Sequence, residues 1–314
     1  GFASDGYRFI PKALERGAGV IICEREPEQK AQYVQVADCR KALAQLGANW
    51  FGHPADKMTM LGVTGTNGKT TITYLLKTVL EKTLGAKVGL IGTIQNMIGG
   101  TVIHTERTTP ESFEVQRLFR KMADAGCTYA VMETSSHALC LDRVYGVHYA
   151  VGIFTNLTQD HLDFHGTMEA YRDAKGLLFR QCAAAVLNLD DEAGRYYAET
   201  VPVPTFTYSE CRDEADLTAK NLRLFPQRVE FEAVTRDAIS RVRLPIPGLC
   251  DPVPHGALGD VLCNGAVHRP GRGAGPAAGR LCRRTGGGPG GEGPHRGGAH
   301  PHGLHGAHRL RPHP

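Results

Sequence analysis

The chain has 314 residues, with 36 lysines and arginines against 32 aspartates and glutamates, a formal net charge of +4. That length suits about two ordinary domains, and interspersed charge of this kind argues against a nucleic-acid or membrane surface as the main business. No apolar run approaches the roughly 18 residues a membrane span needs, no signal peptide opens the chain, and nine cysteines at irregular spacing without a C-x-x-C pair read as reduced thiols of a cytoplasmic protein, not as a disulfide framework or zinc site.

The chain opens on GFASDGYRF without an initiator Met, which reads as a fragment. YRFIPKALERGAGVIICE then predicts an amphipathic helix, stop signals at Gly17 and Gly19, and an apolar strand to Cys23. YVQVADCRKALAQLGANWFGHPAD repeats the order: a short strand at 33–36, Asp38 as N-cap, a helix to about Trp50 and a break at His53-Pro54. Residues 1–55 therefore form a small, partial α/β unit.

A second series, 56–248, starts near Lys57. KMTMLGVTG is a strand, and KTTITYLLKTVLEKTLG is a helix that places Ile72, Leu75, Leu76, Val79 and Leu80 on one face and ends at Gly85. AKVGLIGT is a strand, ESFEVQRLFRKMADAG a helix, TYAVMETSS and YAVGIFTNL strands, MEAYRDAKGLLFRQC a helix and AAAVLNLDD a strand. The fold class is α/β. Strands alternating with helices predict a central parallel sheet, with ligands at the strands' C-terminal ends. After TFTYS, the stretch DLTAKNLRLFPQRVEFEAVTRDAISRVRLPIPG alternates apolar and polar residues as antiparallel hairpins do.

Composition breaks after LPIPG. Residues 249–314 contain no Phe, Tyr, Trp, Ile, Met, Lys, Ser or Gln. So few large apolar side chains cannot offset the entropy of ordering, so this tail is expected to be irregular. It reads either as a basic, His-rich segment for nucleic acid or metal or as the product of a shifted reading frame in a GC-rich gene. The abruptness of the break favours the shifted frame, and the tail is assigned no function.

The chemistry starts at VTGTNGKTT, residues 63–71. The usual phosphate loop is G-x-x-x-x-G-K-[ST]. Counted back from Gly68-Lys69-Thr70, its first glycine falls on Val63, whereas glycines stand at Gly62 and Gly65. The strand–loop–helix context still fits phosphate: Gly65 and Gly68 can present backbone N–H groups, and the helix N-terminus adds its positive end. Lys69 would reach the β- and γ-phosphates, and the Thr70 hydroxyl would ligate Mg²⁺. Glu133, at the end of its strand, is placed to help hold that ion. In TNLTQDHLDFHG, Asp160, His161, Asp163 and His165 crowd a short loop just past another strand end. Without cysteines nearby they read as a mixed Mg²⁺ or Mn²⁺ site and not as zinc. Lys175, taken alone, is a solvated helix lysine.

GVTGTNGKTT, METSSHAL, FTNLTQDHLDFHGTMEAYRDAKGLLF and LNLDD together closely resemble the Mur ligase family, the ATP-dependent amide-forming enzymes of peptidoglycan synthesis. The family loop is T-G-x-N-G-K-T, which accounts for the glycine count. TTPES at 108–112 and SSHALCLDRV at 135–144 look like the third ligase, which adds meso-diaminopimelate or L-lysine to UDP-N-acetylmuramoyl-L-alanyl-D-glutamate (UDP-MurNAc-L-Ala-D-Glu). The resemblance covers residues 5 to 248.

It implies a partial N-terminal UDP-MurNAc-binding domain at 1–55 and a central P-loop ATPase domain at 56–248. Gly65, Thr66, Asn67, Gly68, Lys69, Thr70 and Thr71 would bind ATP phosphates, with Asn188 and Asp191 near the nucleotide. Two Mg²⁺ ions would be held through Thr70, Glu133, His161 and Lys175, the last carbamylated by CO₂; Lys69, Lys175 and His161 would serve catalysis. Thr108, Thr109, Ser135 and Arg143 would grip the muramoyl-dipeptide. Leu141 stands where some members carry Gln, and Arg107 where some carry Asn.

The implied reaction forms an acyl phosphate from the D-glutamate γ-carboxylate, which the diamino acid then attacks. A cytoplasmic monomer, with no nucleic acid or membrane partner, is expected. The family's third domain, which selects the amino acid and completes the ATP site, has no counterpart here, so the chain by itself is expected to show no ligase turnover. Two readings compete: a folylpolyglutamate synthase-like ligase, which shares the phosphate loop and modified lysine, and a non-catalytic nucleotide-binding fragment.

Overall fold

The computed structural model of the chain describes residues 5–105 and 107–245. The low-complexity tail lies outside the described residues. The first elements are α1 (Ile10–Glu15), β1 (Ile21–Cys23), β2 (Tyr33–Gln35) and α2 (Cys39–Phe51). β1 and β2 pair in parallel as a sheet of their own. Asp38 caps α2 as expected, accepting from the N–H groups of Arg40 and Lys41, and Gly52 in the left-handed region (φ 71°) closes it.

From Thr59 the chain builds β3 (Thr59–Thr64), α3 (Lys69–Leu84), β4 (Val88–Ile91), the hairpin β5 (Asn96–Ile98) and β6 (Thr101–Ile103), α4 (Ser112–Asp124), β7 (Tyr129–Glu133) and α5 (Ser136–Cys140). It continues with β8 (Tyr149–Phe154), α6 (Leu162–His165), α7 (Met168–Gly176), β9 (Cys182–Asn188), α8 (Glu192–Thr200) and β10 (Thr205–Ser209). The strands β11 (Leu217–Phe225), β12 (Arg228–Thr235) and β13 (Ile239–Leu244) complete the series.

Eleven strands form one sheet in the order β13-β12-β11-β10-β9-β8-β3-β7-β4-β5-β6. The run from β4 to β11 is parallel, and antiparallel pairs extend both ends. The α/β class and the late antiparallel strands match the sequence reading.

Each face of the sheet is closed by helices whose apolar spacing selects it. On α4, Val115, Leu118, Phe119 and Met122 recur at helical spacing and are buried with Met60, Ala130 and Met132. Truncating fully buried Phe119 to Ala would cost about 3–5 kcal/mol. On α3 the stripe is narrower than the sequence predicts. Ile72, Leu76 and Leu80 pack on Val63, Val88 and Val131, while Val79 is 53% exposed. Ile72, Leu76 and Leu80 follow one i, i+4 row, and Val79 lies one step off it.

Strand β7 ends at Glu133, earlier than TYAVMETSS suggests, because Ser135 caps α5 by accepting from the Ala138 N–H.

Candidate active site

Strand β3 lies between β7 and β8, where the chain order of the sheet reverses, and such a switch point opens a crevice at the carboxyl ends of parallel strands. Three segments meet there: Thr64-Gly65 after β3, Glu133-Thr134 at the end of β7, and Thr155-Asn156 after β8.

Backbone demands and long-range hydrogen bonds together shape the phosphate loop. Gly65 (φ +148°) and Gly68 (φ +86°) take conformations that side chains resist. A Cβ on Gly65 would stand 1.8 Å from Thr155 Oγ1. The segment after β8 braces the loop from below. The Thr66 N–H donates to Asn156 O (2.8 Å), the Asn67 N–H to Asn156 Oδ1 (3.0 Å), and Thr155 Oγ1 to Asn67 O (2.6 Å). Thr158 N–H reaches Thr66 Oγ1 at 3.0 Å.

α3 starts directly after the loop with no side-chain cap, so its first N–H groups face the crevice with the positive end of the helix. The buried hydroxyls of Thr64 and Thr71 have no hydrogen-bond partner among the described residues. Uncapped donors, unpartnered hydroxyls and a glycine, Gly65, that a Cβ would obstruct fit a run of phosphate oxygens.

Two lysines converge on this loop. Lys69 Nζ donates to Gly65 O (2.9 Å) and Thr66 O (2.8 Å), and Lys175 Nζ donates to the same Gly65 O (2.8 Å). Lys175 is 1% exposed, and its ammonium stands 4.3 Å from the centroid of the Tyr171 ring. Burial, then the charge of Lys69, pushes its pKa well below the ordinary lysine value. The solvated lysine of the sequence reading is thus an interior amine.

On the other side of the loop, Glu133 is fully buried. Its Oε1 accepts from Thr70 Oγ1 (2.9 Å) and from the Thr93 N–H (2.9 Å), and its Oε2 from Thr93 Oγ1 (2.9 Å). Gly92 makes room for it, since a Cβ there would stand 2.6 Å from Glu133 Oε1. A hydroxyl and a carboxylate beside a phosphate cradle are oxygen donors of the kind magnesium takes.

His161 is placed differently. It initiates α6 in a left-handed conformation (φ 50°), its Nε2 lies 3.5 Å from Asp160 Oδ2, and its ring meets that of His137 edge-on at 4.8 Å. The loop carboxylates and imidazoles do not form the mixed metal site that their crowding in sequence suggests. Among the described residues no three His, Cys, Asp or Glu side chains converge to hold a metal. The turn of α6 carries His165 to Ser136 Oγ (2.9 Å) and onto the Tyr171 ring.

The residues assigned to the muramoyl-dipeptide form a network around the end of β7. Thr108 Oγ1 and Thr93 Oγ1 share a hydrogen bond (3.0 Å). Thr109, 1% exposed, donates to Glu133 O (2.8 Å) and accepts from the Ser135 N–H (3.2 Å). Arg143 donates to Thr109 O (3.2 Å) and pairs with Glu111 (2.8 Å). Leu141 is the C-cap of α5, and Arg107 is an exposed partner of Glu111.

Asn188 and Asp191 tie the strand ends together. Asn188 Nδ2 donates to Thr155 O (2.9 Å), and Asp191, the N-cap of α8, also accepts from the Leu157 N–H (2.8 Å). Asp191 further lines a cleft of about 250 Å³ with Leu157, Arg172 and Tyr196, where the Arg172 guanidinium stands 3.7 Å from the Tyr196 ring centroid.

Sequence reasoning missed Thr93, Thr155 and Asn156. Each stands just past the end of a strand of the parallel sheet, which is the signal that could have found them.

Residues 63–250 match the family model described as Mur ligase middle domain. The chain is 48% identical over 250 residues to a UDP-N-acetylmuramoyl-L-alanyl-D-glutamate--2,6-diaminopimelate ligase of Clostridium acetobutylicum, a match covering 79% of this chain and 52% of that protein. It is 46% identical over 253 residues to the ligase of the same description from Clostridium tetani, with 79% and 52% covered. A solved structure of a ligase with that description superposes with a TM-score of 0.70 at 28% identity, over 82% of this chain and 52% of the other. The chain thus spans about half the length of the curated relatives it matches.

Proposed function

The chain belongs to the Mur ligase family, and from that premise we propose that its site serves ATP-dependent amide formation in peptidoglycan precursor synthesis. The acyl donor is UDP-MurNAc-L-Ala-D-Glu and the amine a diamino acid, 2,6-diaminopimelate in the relatives' names. The observation that carries this reading is the convergence of Lys69 and Lys175 on the Gly65 carbonyl, with Thr70 and Glu133 joined on the other side of the loop.

The N–H groups at the N-terminus of α3, with the loop amides that Asn156 does not engage, bind and orient the triphosphate. Lys69, whose ammonium lies over the loop at the Gly65 and Thr66 carbonyls, would meet the negative charge that develops as the phosphoryl group moves to the D-glutamate γ-carboxylate. Thr109, Ser135 and Arg143 hold the peptide so that this carboxylate is in line. Amine attack on the acyl phosphate then releases phosphate. When bound, magnesium neutralises charge on the transferring phosphoryl group. Thr70 and Glu133 would hold one ion, and His161 with a carbamate on Lys175 the other.

Lys175 is suited to that modification. A buried amine with a depressed pKa is unprotonated more often than a surface lysine, and only the neutral amine adds to CO₂, losing a proton to leave a carbamate anion. Asn188 and Asp191 would fix the cleft beside the nucleotide. We place the protein in the cytoplasm as a monomer. No helix among the described residues is long and apolar enough to cross a membrane.

The test is ¹³C NMR of the protein equilibrated with ¹³C-bicarbonate, together with Mg-ATP titration. A carbamate resonance near that of known lysine carbamates, absent in Lys175→Met, and saturable Mg-ATP binding that Lys69→Met weakens are expected. The absence of both a carbamate signal and Mg-ATP binding would overturn the proposal.

A further inference from the structure

Glu111 is the N-cap residue of the thirteen-residue helix α4, yet its carboxylate makes no cap hydrogen bond. A carboxylate at that position normally accepts from the first-turn N–H groups. Here the side chain turns away, and its Oε1 takes two guanidinium groups, Arg143 (2.8 Å) and Arg107. Arg143 has only 15% of its side chain exposed, against 44% for Glu111 and 54% for Arg107. The other arm of Arg143 donates to Thr109 O (3.2 Å), and its buried Nε has no partner among the described residues. The Arg143 fork is therefore held at two points, the backbone carbonyl of Thr109 and a carboxylate two residues further on.

Resting on the reading of Arg143 as a grip for the acyl substrate, we propose that Glu111 is a positioning residue: it forgoes its helix cap to fix the Arg143 guanidinium for the carboxylates of the muramoyl-dipeptide, with Arg107 as the second arm of the same clamp. One carboxylate between two guanidinium groups leaves a net positive charge, so the clamp still attracts an anion. An oriented fork meets a carboxylate in bidentate fashion at little further entropic cost. A cleft of about 450 Å³ lies on the Arg107 and Glu111 side of the clamp, with Arg117, Lys121, His104 and Glu114 in its lining, and is large enough to admit a peptide.

The experiment uses the full chain and two probes, UDP-MurNAc-L-Ala-D-Glu and UDP-MurNAc without the peptide, each titrated calorimetrically into wild type, Glu111→Gln, Arg143→Lys and the double variant. Glu111→Gln keeps an acceptor of the same size but loses the charge. Weakening of the dipeptide ligand by about tenfold is expected, with UDP-MurNAc changed less than twofold. That difference would be absent in the Arg143→Lys background, since residues that act through one another are not additive. In parallel, ¹⁵N NMR of the Arg143 guanidinium should show slowed rotation in wild type and free rotation in Glu111→Gln.

Equal losses for both probes would mark Glu111 as merely structural, and unchanged or tighter dipeptide binding would make it a bystander or a competitor. Either result, or a guanidinium equally ordered in both proteins, overturns this inference while leaving the ligase reading intact. A wild type that binds neither probe overturns the substrate assignment itself, and this inference with it.

Discussion

Gly65→Ala should damage the protein twice, once through its own backbone and once through Thr155. At φ +148° an L-residue sits in a sparsely populated region, which costs about 1–3 kcal/mol. The new Cβ would also lie 1.8 Å from Thr155 Oγ1 and 3.1 Å from the Asn156 N. The threonine must rotate, and its 2.6 Å bond to Asn67 O breaks in a site where Thr155 is 2% exposed. Losing that bond adds about 0.5–1.5 kcal/mol, so the whole effect is about 1.5–4.5 kcal/mol. It falls on the loop that presents the phosphate-binding amides. Urea unfolding should show the lost stability, and titration with Mg-ATP should show binding weakened at least tenfold. Measured in a Thr155→Ala background, which has already lost the bond to Asn67, Gly65→Ala should keep the backbone share of its cost and lose the share that runs through Thr155. A Gly65→Ala protein with wild-type unfolding and affinity would refute this account of the loop, and no cost of Gly65→Ala in the Thr155→Ala background would refute its backbone half.

Lys69→Met should leave thermal stability within about 1 kcal/mol, as is usual for replacements away from a packed core, and lower Mg-ATP affinity at least tenfold by calorimetry. Thr93→Val removes the hydroxyl that joins Glu133 Oε2 to Thr108. It should raise the Mg²⁺ concentration needed for half-maximal nucleotide binding several-fold while leaving metal-free binding unchanged. His165 has its pKa lowered to about 4, chiefly by burial and then by His137 and Lys175. Because that value lies below the ordinary 6.5, the unfolded chain takes up the proton first, so the stability His165 contributes is complete above about pH 6.5 and is lost as the pH falls toward 4. His165→Gln, which can still meet Ser136, should flatten that decline in acid-unfolding curves. An identical acid profile would show that His165 is not held neutral.

What could be read in advance was local. The phosphate loop, its strand and its helix lie within some twenty-five consecutive residues, and each carries its own signal: an apolar run, two glycines with positive φ, and Gly85 as a left-handed stop. The β5–β6 hairpin was within reach as well, since NMIGGTVI sets Gly99-Gly100 between two short apolar runs. The short helix α5 was not, because five residues are too few for a 3.6-residue period to show. The burial of Lys175 lay equally out of reach. Its neighbours on α7 give no hint that its amine will cross to a carbonyl 110 positions earlier.

The distance between these partners has a consequence for how the site is built. Gly65 and Gly68 permit the loop's shape, but Thr155 and Asn156, about ninety residues later, select it, and they stand there only because β8 pairs with β3 in parallel register. Glu133 is likewise held by Thr93 only because β4 and β7 are neighbours. The sheet therefore acts as the ruler that sets loop, carboxylate and buried amine relative to one another. A slip of one residue in β8 would invert its alternation and carry Thr155 to the other face, leaving every residue of the motif in the sequence and no cradle in the fold.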